Sequence, residues 1–162
     1  MERVKPAAGQ ESVWDYPRPP AHLPDNRPVE IWFDNLCIAK SDHSIRVCET
    51  GSPPAFYVPP DAFDQSVLKA STAHTFCEWK GHAHYFDVVG PQGVAEAAVW
   101  YYPNPSAEPA KVIAGWLSCY PEKLNCFVAG EPVHAQAGRY YGGWVTNEIV
   151  GPWKGEPGTE HW

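Results

Sequence analysis

The sequence predicts a mostly β, compact domain built from two similar halves, with one or two short helices. Aromatic residues make up 14% of the chain and stand among 18 prolines and 13 glycines. Large flat side chains among frequent chain breakers favour short strands and ordered loops over long helices. Eight tryptophans also exclude a disordered chain, because disordered segments are poor in aromatic residues.

The second observation behind this prediction is an internal repeat. Four short phrases occur twice in the same order: residues 13–19 and 99–105, 29–39 and 124–135, 57–61 and 144–148, and 78–81 and 152–155. They predict two units, at about 13–81 and 99–155, related by a pseudo-twofold axis and joined through a hairpin linker at 82–98. Units of this size are marginal alone, so we expect one domain, 13–162, after a flexible arm at 1–12.

Alternating hydrophobicity around short turns predicts the strands. Residues 29–39 read as a hairpin with Asp34-Asn35 at its tip, and 124–135 as a second one with Ala129-Gly130 at its tip. Residues 83–102, folded about the 90–93 turn, give the clearest hairpin of the chain. Further short strands are predicted at 56–58 and 116–120.

The segment 45–49 alternates as well, and its alternation predicts two different faces. Arg46 lies on one face with Cys48, opposite the aliphatic Ile45 and Val47. Because side chains alternate along a strand, Glu49 shares the aliphatic face. We therefore expect a carboxylate on the side of the core.

Two segments predict short helices. Residues 61–70 follow a Pro-Pro pair and hold one or two helical turns. Residues 106–113 form the second candidate, with Ser106 as the N-cap residue. The tail, 138–162, is rich in glycine and aromatic residues and predicts an ordered loop.

Charge and cysteine content exclude several classes of partner. The net charge is −7 and no cluster of Lys or Arg occurs, which excludes nucleic acids and anionic membranes as partners. No apolar run approaches a membrane span and residues 1–10 do not resemble a signal peptide, so we expect a cytoplasmic protein. Five cysteines without a Cys-x-x-Cys pair indicate reduced thiols and no zinc motif.

Several phrases together resemble one known family. They include Val13-Trp14-Asp15-Tyr16-Pro17, Tyr57-Val58-Pro59-Pro60, Glu78-Trp79-Lys80-Gly81, Trp100-Tyr101-Tyr102-Pro103 and Tyr141-Gly142-Gly143-Trp144. The chain resembles, over nearly its whole length, the domain-of-unknown-function 427 family, also labelled nucleotidyltransferase-like. The resemblance implies a small β-rich domain of the Mss4-like β-tent type, and it implies no catalytic residues.

The residues give the nucleotidyltransferase label little support. Nucleotidyl transfer needs groups that cradle phosphates and, in most enzymes, two carboxylates that hold a divalent metal. The chain has no Gly-rich phosphate-binding motif and no Asp-x-Asp or Asp-x-Glu pair. The label is therefore kept as an alternative, and no cofactor is expected.

Cysteine and histidine suggest two further kinds of chemistry. His82 and His84 point to one face of a strand just after Cys77, as in a zinc site, but no fourth ligand is evident. We expect no metal here. Cys77 could act as a nucleophile with a neighbouring histidine and the cation of Lys80, although a buried structural thiol is the favoured interpretation.

Residues without a counterpart in the other repeat are the better site candidates, because duplication accounts for the scaffold. Glu49, Lys80 and Tyr57 are predicted to form an acid–base catalytic set. The residues predicted to bind the substrate are Arg46, Cys77, His84, Trp100 and Tyr120. In the competing interpretation, Arg46 or Lys80 pairs with Glu49 and only fixes the order of the strands.

These candidates predict a small-molecule-binding protein, or a cofactor-independent acid–base enzyme of the isomerase or hydrolase type, with an aromatic-lined pocket between the repeats. One alternative is a protein-interaction module that presents the Trp and Pro phrase at 13–20 to a partner or a second copy. The other is the nucleotidyltransferase of the family label. A small-molecule ligand is the expected partner, and the oligomeric state is left open.

Overall fold

The computed structural model describes residues 1–138 and 141–162, and strands predominate in them. The mostly β prediction is confirmed. The strands are β1 (Glu11–Ser12), β2 (Ala21–Asp25), β3 (Val29–Phe33), β4 (Leu36–Ser41), β5 (Ser44–Cys48), β6 (Ala55–Tyr57), β7 (Leu68–Cys77), β8 (Gly81–Val89), β9 (Val94–Tyr101), β10 (Leu117–Cys119), β11 (Asn125–Val128), β12 (Glu131–Pro132), β13 (His134–Ala135), β14 (Trp144–Val145) and β15 (Ile149–Val150).

Three sheets organise these strands. Two have four strands, in the orders β10-β9-β8-β7 and β12-β11-β3-β4, and a third has the order β2-β5-β6. All neighbours in these three sheets are antiparallel. Two short pairs complete the set, β13 with β14 and the parallel pair β1 with β15.

The two predicted tight hairpins are confirmed, together with their tips. Asp34 and Asn35 have φ of 49° and 61°, and Ala129 and Gly130 have φ of 50° and 79°. Two consecutive positive φ values give the turn whose twist matches that of the flanking strands. The hairpins lie side by side, because β3 pairs with β11.

Other repeated phrases differ in local structure. Residues Val13–Asp15 form a 3₁₀ helix, whereas the matching residues at 99–101 belong to β9. The two Trp-Lys-Gly phrases each place the lysine in a turn before a glycine of positive φ, 83° at Gly81 and 100° at Gly155. Gly81 then begins β8, whereas Gly155 lies outside the strands. The pseudo-twofold repeat of the whole chain stays a prediction.

The helical segments are all 3₁₀. Residues 61–70 were expected to hold one or two helical turns. They contain part of the segment Pro60–Ala62 and the whole of Gln65–Val67, and β7 begins within them at Leu68. The second segment is Glu108–Ile113, and Ala107 rather than Ser106 occupies its N-cap position. Pro109 in its first turn fits there because a helix needs no N–H at that position. Among the described residues, no helix is long and apolar enough to span a membrane.

The N-terminal segment is tied to the end of the chain. Val4 N donates to Gly151 O at 2.9 Å, and Gln10 Nε2 donates to Asn147 O at 2.9 Å. Glu11–Ser12 then pairs with β15. Residues 1–12, expected to be a flexible arm, therefore hold at least three contacts with residues 147–151.

The β8–β9 hairpin separates two hydrophobic clusters. Val88 and Val99 pack on one side with residues from β3, β4 and β11. Tyr85 and Trp100 pack on the other side with residues of β5 and β6. The second side carries the cavity described next.

Candidate functional site

A cavity of about 440 Å³ opens between the sheet β2-β5-β6 and the sheet of β7, β8 and β9. Its wall combines two charged side chains with aromatic and hydroxyl groups. The lining residues are Val47, Glu49, Ser52, Pro53, Ala55, Tyr57, Thr75, Phe76, Lys80, Tyr85, Trp100, Tyr102, Tyr120, Gln136, Tyr141, Gly142 and Gly143.

Glu49 enters the cavity by continuing the alternation of β5. Val47 and Glu49 both line the cavity, as their shared parity requires, and Glu49 is half-buried. Among the described residues, the Glu49 carboxylate has no ion-pair partner. The cavity thus receives one negative charge that no residue of 1–138 or 141–162 neutralises.

Lys80 stands in the turn that connects β7 to β8. Gly81 follows it with a φ of 83°, a conformation that favours glycine. The Lys80 Nζ lies 3.8 Å from the Cys77 Sγ and 5.7 Å from the centroid of the Tyr102 ring. A cation over an aromatic face is stabilised by the ring. No carboxylate among the described residues pairs with Lys80, so its charge is also left for the cavity.

Trp100 and Tyr57 form a fixed part of the wall. The Trp100 Nε1–H donates a hydrogen bond of 3.0 Å to the Tyr57 hydroxyl, and the two rings meet edge to face at 6.2 Å. Burial raises the pKa of Tyr57 well above its ordinary value of 10.0. Tyr57 therefore stays a neutral phenol that orients the indole.

A row of hydroxyl groups lies beside Trp100 in the wall, because Tyr85 pairs with Trp100 across β8 and β9. The Tyr85 hydroxyl lies 2.9 Å from Thr75 Oγ1 and 3.4 Å from the Tyr120 hydroxyl. Burial, followed by the hydrogen bond with Tyr85, raises the pKa of Tyr120. The Tyr120 ring lies 4.6 Å from that of Trp100, which places polar and apolar groups side by side.

Two glycines close the wall at 142–143. A Cβ atom on Gly142 would collide with the Trp100 indole, so only glycine permits this approach. Gly143 N donates to Gln136 Oε1 at 3.1 Å, and Gln136 Nε2 donates to Lys154 O at 2.6 Å. Gln136 and the two glycines were not among the predicted site residues. The Gly-Gly pair before Trp144 was the available signal.

Most of the chain matches one known protein family. Residues 21–130 match the family described as Domain of unknown function (DUF427). The chain belongs to this family. The matched DUF427 region includes the strands that bear Tyr57 and Trp100 and the turn that bears Lys80. It also includes Glu49 and Tyr120. No curated protein matches the chain.

Five of the predicted site residues line the cavity of this DUF427 protein, and three do not. The five are Glu49, Tyr57, Lys80, Trp100 and Tyr120. Cys77 lies behind Lys80, packed against the cluster that supports the cavity. Arg46 and His84 lie outside the cavity wall.

Arg46 belongs to an ion cluster on the other face of β5. Its Nη1 lies 2.8 Å from Glu11 Oε1 and 2.7 Å from Glu148 Oε1, and its Nε lies 3.6 Å from Asp25 Oδ2. Arg27 pairs with Asp25 and Glu148 as well. The suggested pair of Arg46 with Glu49 does not form, because the two residues point to opposite faces of the strand.

His84 is exposed on the far face of β8. Its ring stacks on Tyr101 at 5.7 Å, while the neighbouring Tyr85 points into the cavity. Strand alternation therefore turns His84 away from the site. Within residues 1–138 and 141–162, no group of three or more His, Cys, Asp and Glu side chains could hold a metal ion.

His22 was missed by the sequence analysis. It pairs in register with Val47, so its side chain lies on the cavity side of the sheet. Its Nε2 atom is buried without a hydrogen-bond partner among the described residues. Burial, then the charge of Lys80, lowers its pKa, which favours a neutral imidazole. Pro24 within β2 concealed this strand from sequence reading.

Proposed function

We propose that this DUF427 protein binds a small organic molecule in the cavity and performs acid–base chemistry on it without a cofactor. The observation that carries the proposal is the pair of Glu49 and Lys80, which face one aromatic-lined cavity without ion-pair partners among the described residues. Pockets with aromatic walls and a few convergent polar groups are typical of small-molecule sites.

Other partly buried carboxylates of the protein are paired, and their contrast with Glu49 supports this proposal. The half-buried carboxylates of Asp25 and Glu148 each pair with an arginine. Leaving a partly buried charge unpaired is costly, and a bound ligand of complementary charge would offset that cost. Unpaired charges in a cleft are therefore candidates for function.

The cavity also offers the groups that a proton-transfer reaction needs. In an isomerisation, the Glu49 carboxylate would take a proton from a carbon next to a carbonyl group. The Lys80 ammonium would stabilise the negative charge on the resulting enolate oxygen. If the substrate carries a double bond between its β- and γ-carbons, return of the proton from Glu49 to the γ-carbon moves that double bond into conjugation with the carbonyl group. This step completes the isomerisation and requires no other reactant. The hydroxyls of Tyr85 and Tyr120 would orient the substrate.

The structure offers less support for the protein-interaction alternative. The phrase at 13–20 holds its aromatics internally: Val13 is fully buried, Tyr16 is buried, and Trp14 Nε1 donates to Pro152 O. The exposed residues of the phrase are Asp15, Pro17, Arg18 and Pro19. An aromatic contact with a partner would need these rings on the surface.

The test is a thermal-shift screen of a metabolite library against the wild type and the variants Glu49→Gln and Lys80→Met. A ligand at about 100 times its Kd adds about 2.7 kcal/mol of stability, which shifts the melting temperature by several degrees. We expect compounds that shift the wild type and fail to shift the variants. Lys69→Met and Glu96→Gln, on exposed strand positions, serve as matched controls that respond like the wild type.

A compound that shifts the wild type and both variants equally would place the ligand outside the cavity and overturn the proposal. For any compound that passes, NMR spectra in heavy water report on proton exchange at carbon. We expect exchange in the wild type and none in Glu49→Gln. Exchange that persists in Glu49→Gln would remove the catalytic role of this carboxylate.

A further inference from the structure

We propose that the ligand is an aromatic zwitterion, a molecule with a flat ring, one carboxylate and one ammonium group, as in the aromatic amino acids. This inference rests on the proposed binding function and names the class of ligand.

The positive side of the cavity selects an anionic group. Lys80 contributes the cation: its Nζ lies 5.7 Å from the centroid of the Tyr102 ring and donates to the Cys77 Sγ at 3.8 Å. A carboxylate would form a charge-assisted hydrogen bond to this ammonium, which is stronger than a bond between neutral groups. The hydroxyls of Tyr85 and Tyr120 can donate to the same carboxylate.

The negative side selects a cationic group. Glu49 has no ion-pair partner among the described residues, and it shares the cavity with several aromatic side chains. An ammonium group is attracted both to a carboxylate and to aromatic faces. Glu49 would also repel a second anionic group on the ligand, which makes the cavity a poor site for a polyphosphate.

The walls and the volume select a ring of modest size. Trp100 and Tyr120 lie 4.6 Å apart with their planes tilted by 50°, and Gly142 brings the backbone close to the indole. Aromatic side chains prefer edge-to-face or offset contacts with another ring. A volume of about 440 Å³ lies in the lower part of the range of small-molecule pockets.

Isothermal titration tests this inference with defined probes. The amino acids are L-tryptophan, L-tyrosine and L-phenylalanine. Tryptamine lacks the carboxylate, indole-3-propionate lacks the ammonium group, and ATP tests the polyphosphate. We expect the wild type to bind one of the amino acids at least about tenfold more tightly than its one-charge analogues and ATP.

The variants test which side chain causes each difference in affinity between the amino acid and its one-charge analogues. For indole compounds, Lys80→Met should remove the preference for tryptophan over tryptamine, and Glu49→Gln should remove the preference for tryptophan over indole-3-propionate. If tyrosine or phenylalanine binds best, its own amine and acid analogues are used. Lys69→Met and Glu96→Gln should keep both preferences.

Three results would overturn the inference: no binding of the amino acids at millimolar concentration, equal binding of the one-charge analogues, or tighter binding of ATP. These results are separable from failure of the proposed function. If another compound from the metabolite screen binds the wild type and not the variants, the site stands and the ligand class is wrong. If no compound in the screen does so, both proposals fail.

Discussion

The two faces of β5 differ in whether their charged side chains form ion pairs. On one face, Arg46 is buried among the carboxylates of Glu11, Asp25 and Glu148. On the other face, Glu49 and the facing Lys80 line a cavity without ion-pair partners among the described residues. A charge that its neighbours neutralise fixes the structure, whereas a charge left over in a cleft is available to a ligand.

Removal of Arg46 should disrupt the ion cluster on its face of β5, here called the paired face. Of the changes considered, it should cause the largest loss in the free energy of unfolding. Arg46→Met leaves three carboxylates close together without their central cation. We expect a loss of about 3–5 kcal/mol in the free energy of unfolding, measured by urea denaturation. Arg18→Met, at an exposed position, is the control and should change stability little. A loss for Arg46→Met no larger than that of the control would contradict a structural role.

Removal of the Tyr57 hydroxyl separates the wall of the cavity from its charged groups. In Tyr57→Phe the Trp100 N–H is left buried without its acceptor. We expect a loss of about 1–3 kcal/mol in the free energy of unfolding. Tyr101→Phe, on the opposite face of β9, should lose less. If Tyr57→Phe were as stable as the wild type but failed to bind ligand, Tyr57 would contact the ligand itself instead of acting through Trp100.

Acid should weaken the paired face first. Hydrogen bonds from Arg46 lower the pKa of Glu11 below its ordinary value of 4.5. Burial would raise the pKa of Asp25, but the hydrogen bonds and charge of Arg27, with the charge of Arg46, outweigh it and lower the pKa below 3.8. Since both folded-state pKa values are depressed, their stabilisation is complete above the ordinary values and is lost as pH falls through the lowered ones.

We therefore expect the urea midpoint to fall as pH drops below 4.5, and to fall less steeply in Glu11→Gln. Glu2→Gln, near the exposed start of the chain, is the control. Parallel curves for the wild type and Glu11→Gln would show that the Glu11–Arg46 contact contributes no pH dependence.

Changes to Glu49 and Lys80, the charged residues of the cavity, should have the smallest effect on stability. Glu49→Gln and Lys80→Met remove charges that no described residue neutralises, so we expect the free energy of unfolding to stay the same or rise, and to fall by no more than about 0.5 kcal/mol. Ligand binding should be lost in both. Thermal denaturation provides the measurement, and a large destabilisation of both variants would indicate a structural pair.

The sequence predicts local features of this arrangement well. Alternation from Ile45 to Glu49 is enough to place Glu49 on the face opposite Arg46. The tips at Asp34-Asn35 and Ala129-Gly130 follow from residues that tolerate positive φ. Each of these predictions depends on a few neighbouring residues.

Long-range features could not be predicted in this way. Arg46 meets Glu11 and Glu148 across 35 and 102 positions of sequence, and no local pattern encodes that pairing. His84 was assigned to the site because it is polar and follows Lys80, although its parity opposite Tyr85 directs it away. The strand β7 was not predicted because Leu68–Cys77 lacks a regular alternation of apolar residues.

The most direct test measures binding and stability together on the two faces of β5. The best ligand from the screen is titrated into the wild type, Glu49→Gln and Arg46→Met, and each protein is unfolded in urea. We expect Glu49→Gln to keep its stability and lose affinity at least about tenfold, and folded Arg46→Met to keep its affinity and lose stability. The reverse pattern, with affinity lost only in Arg46→Met, would contradict the assignment of the cavity as the functional site.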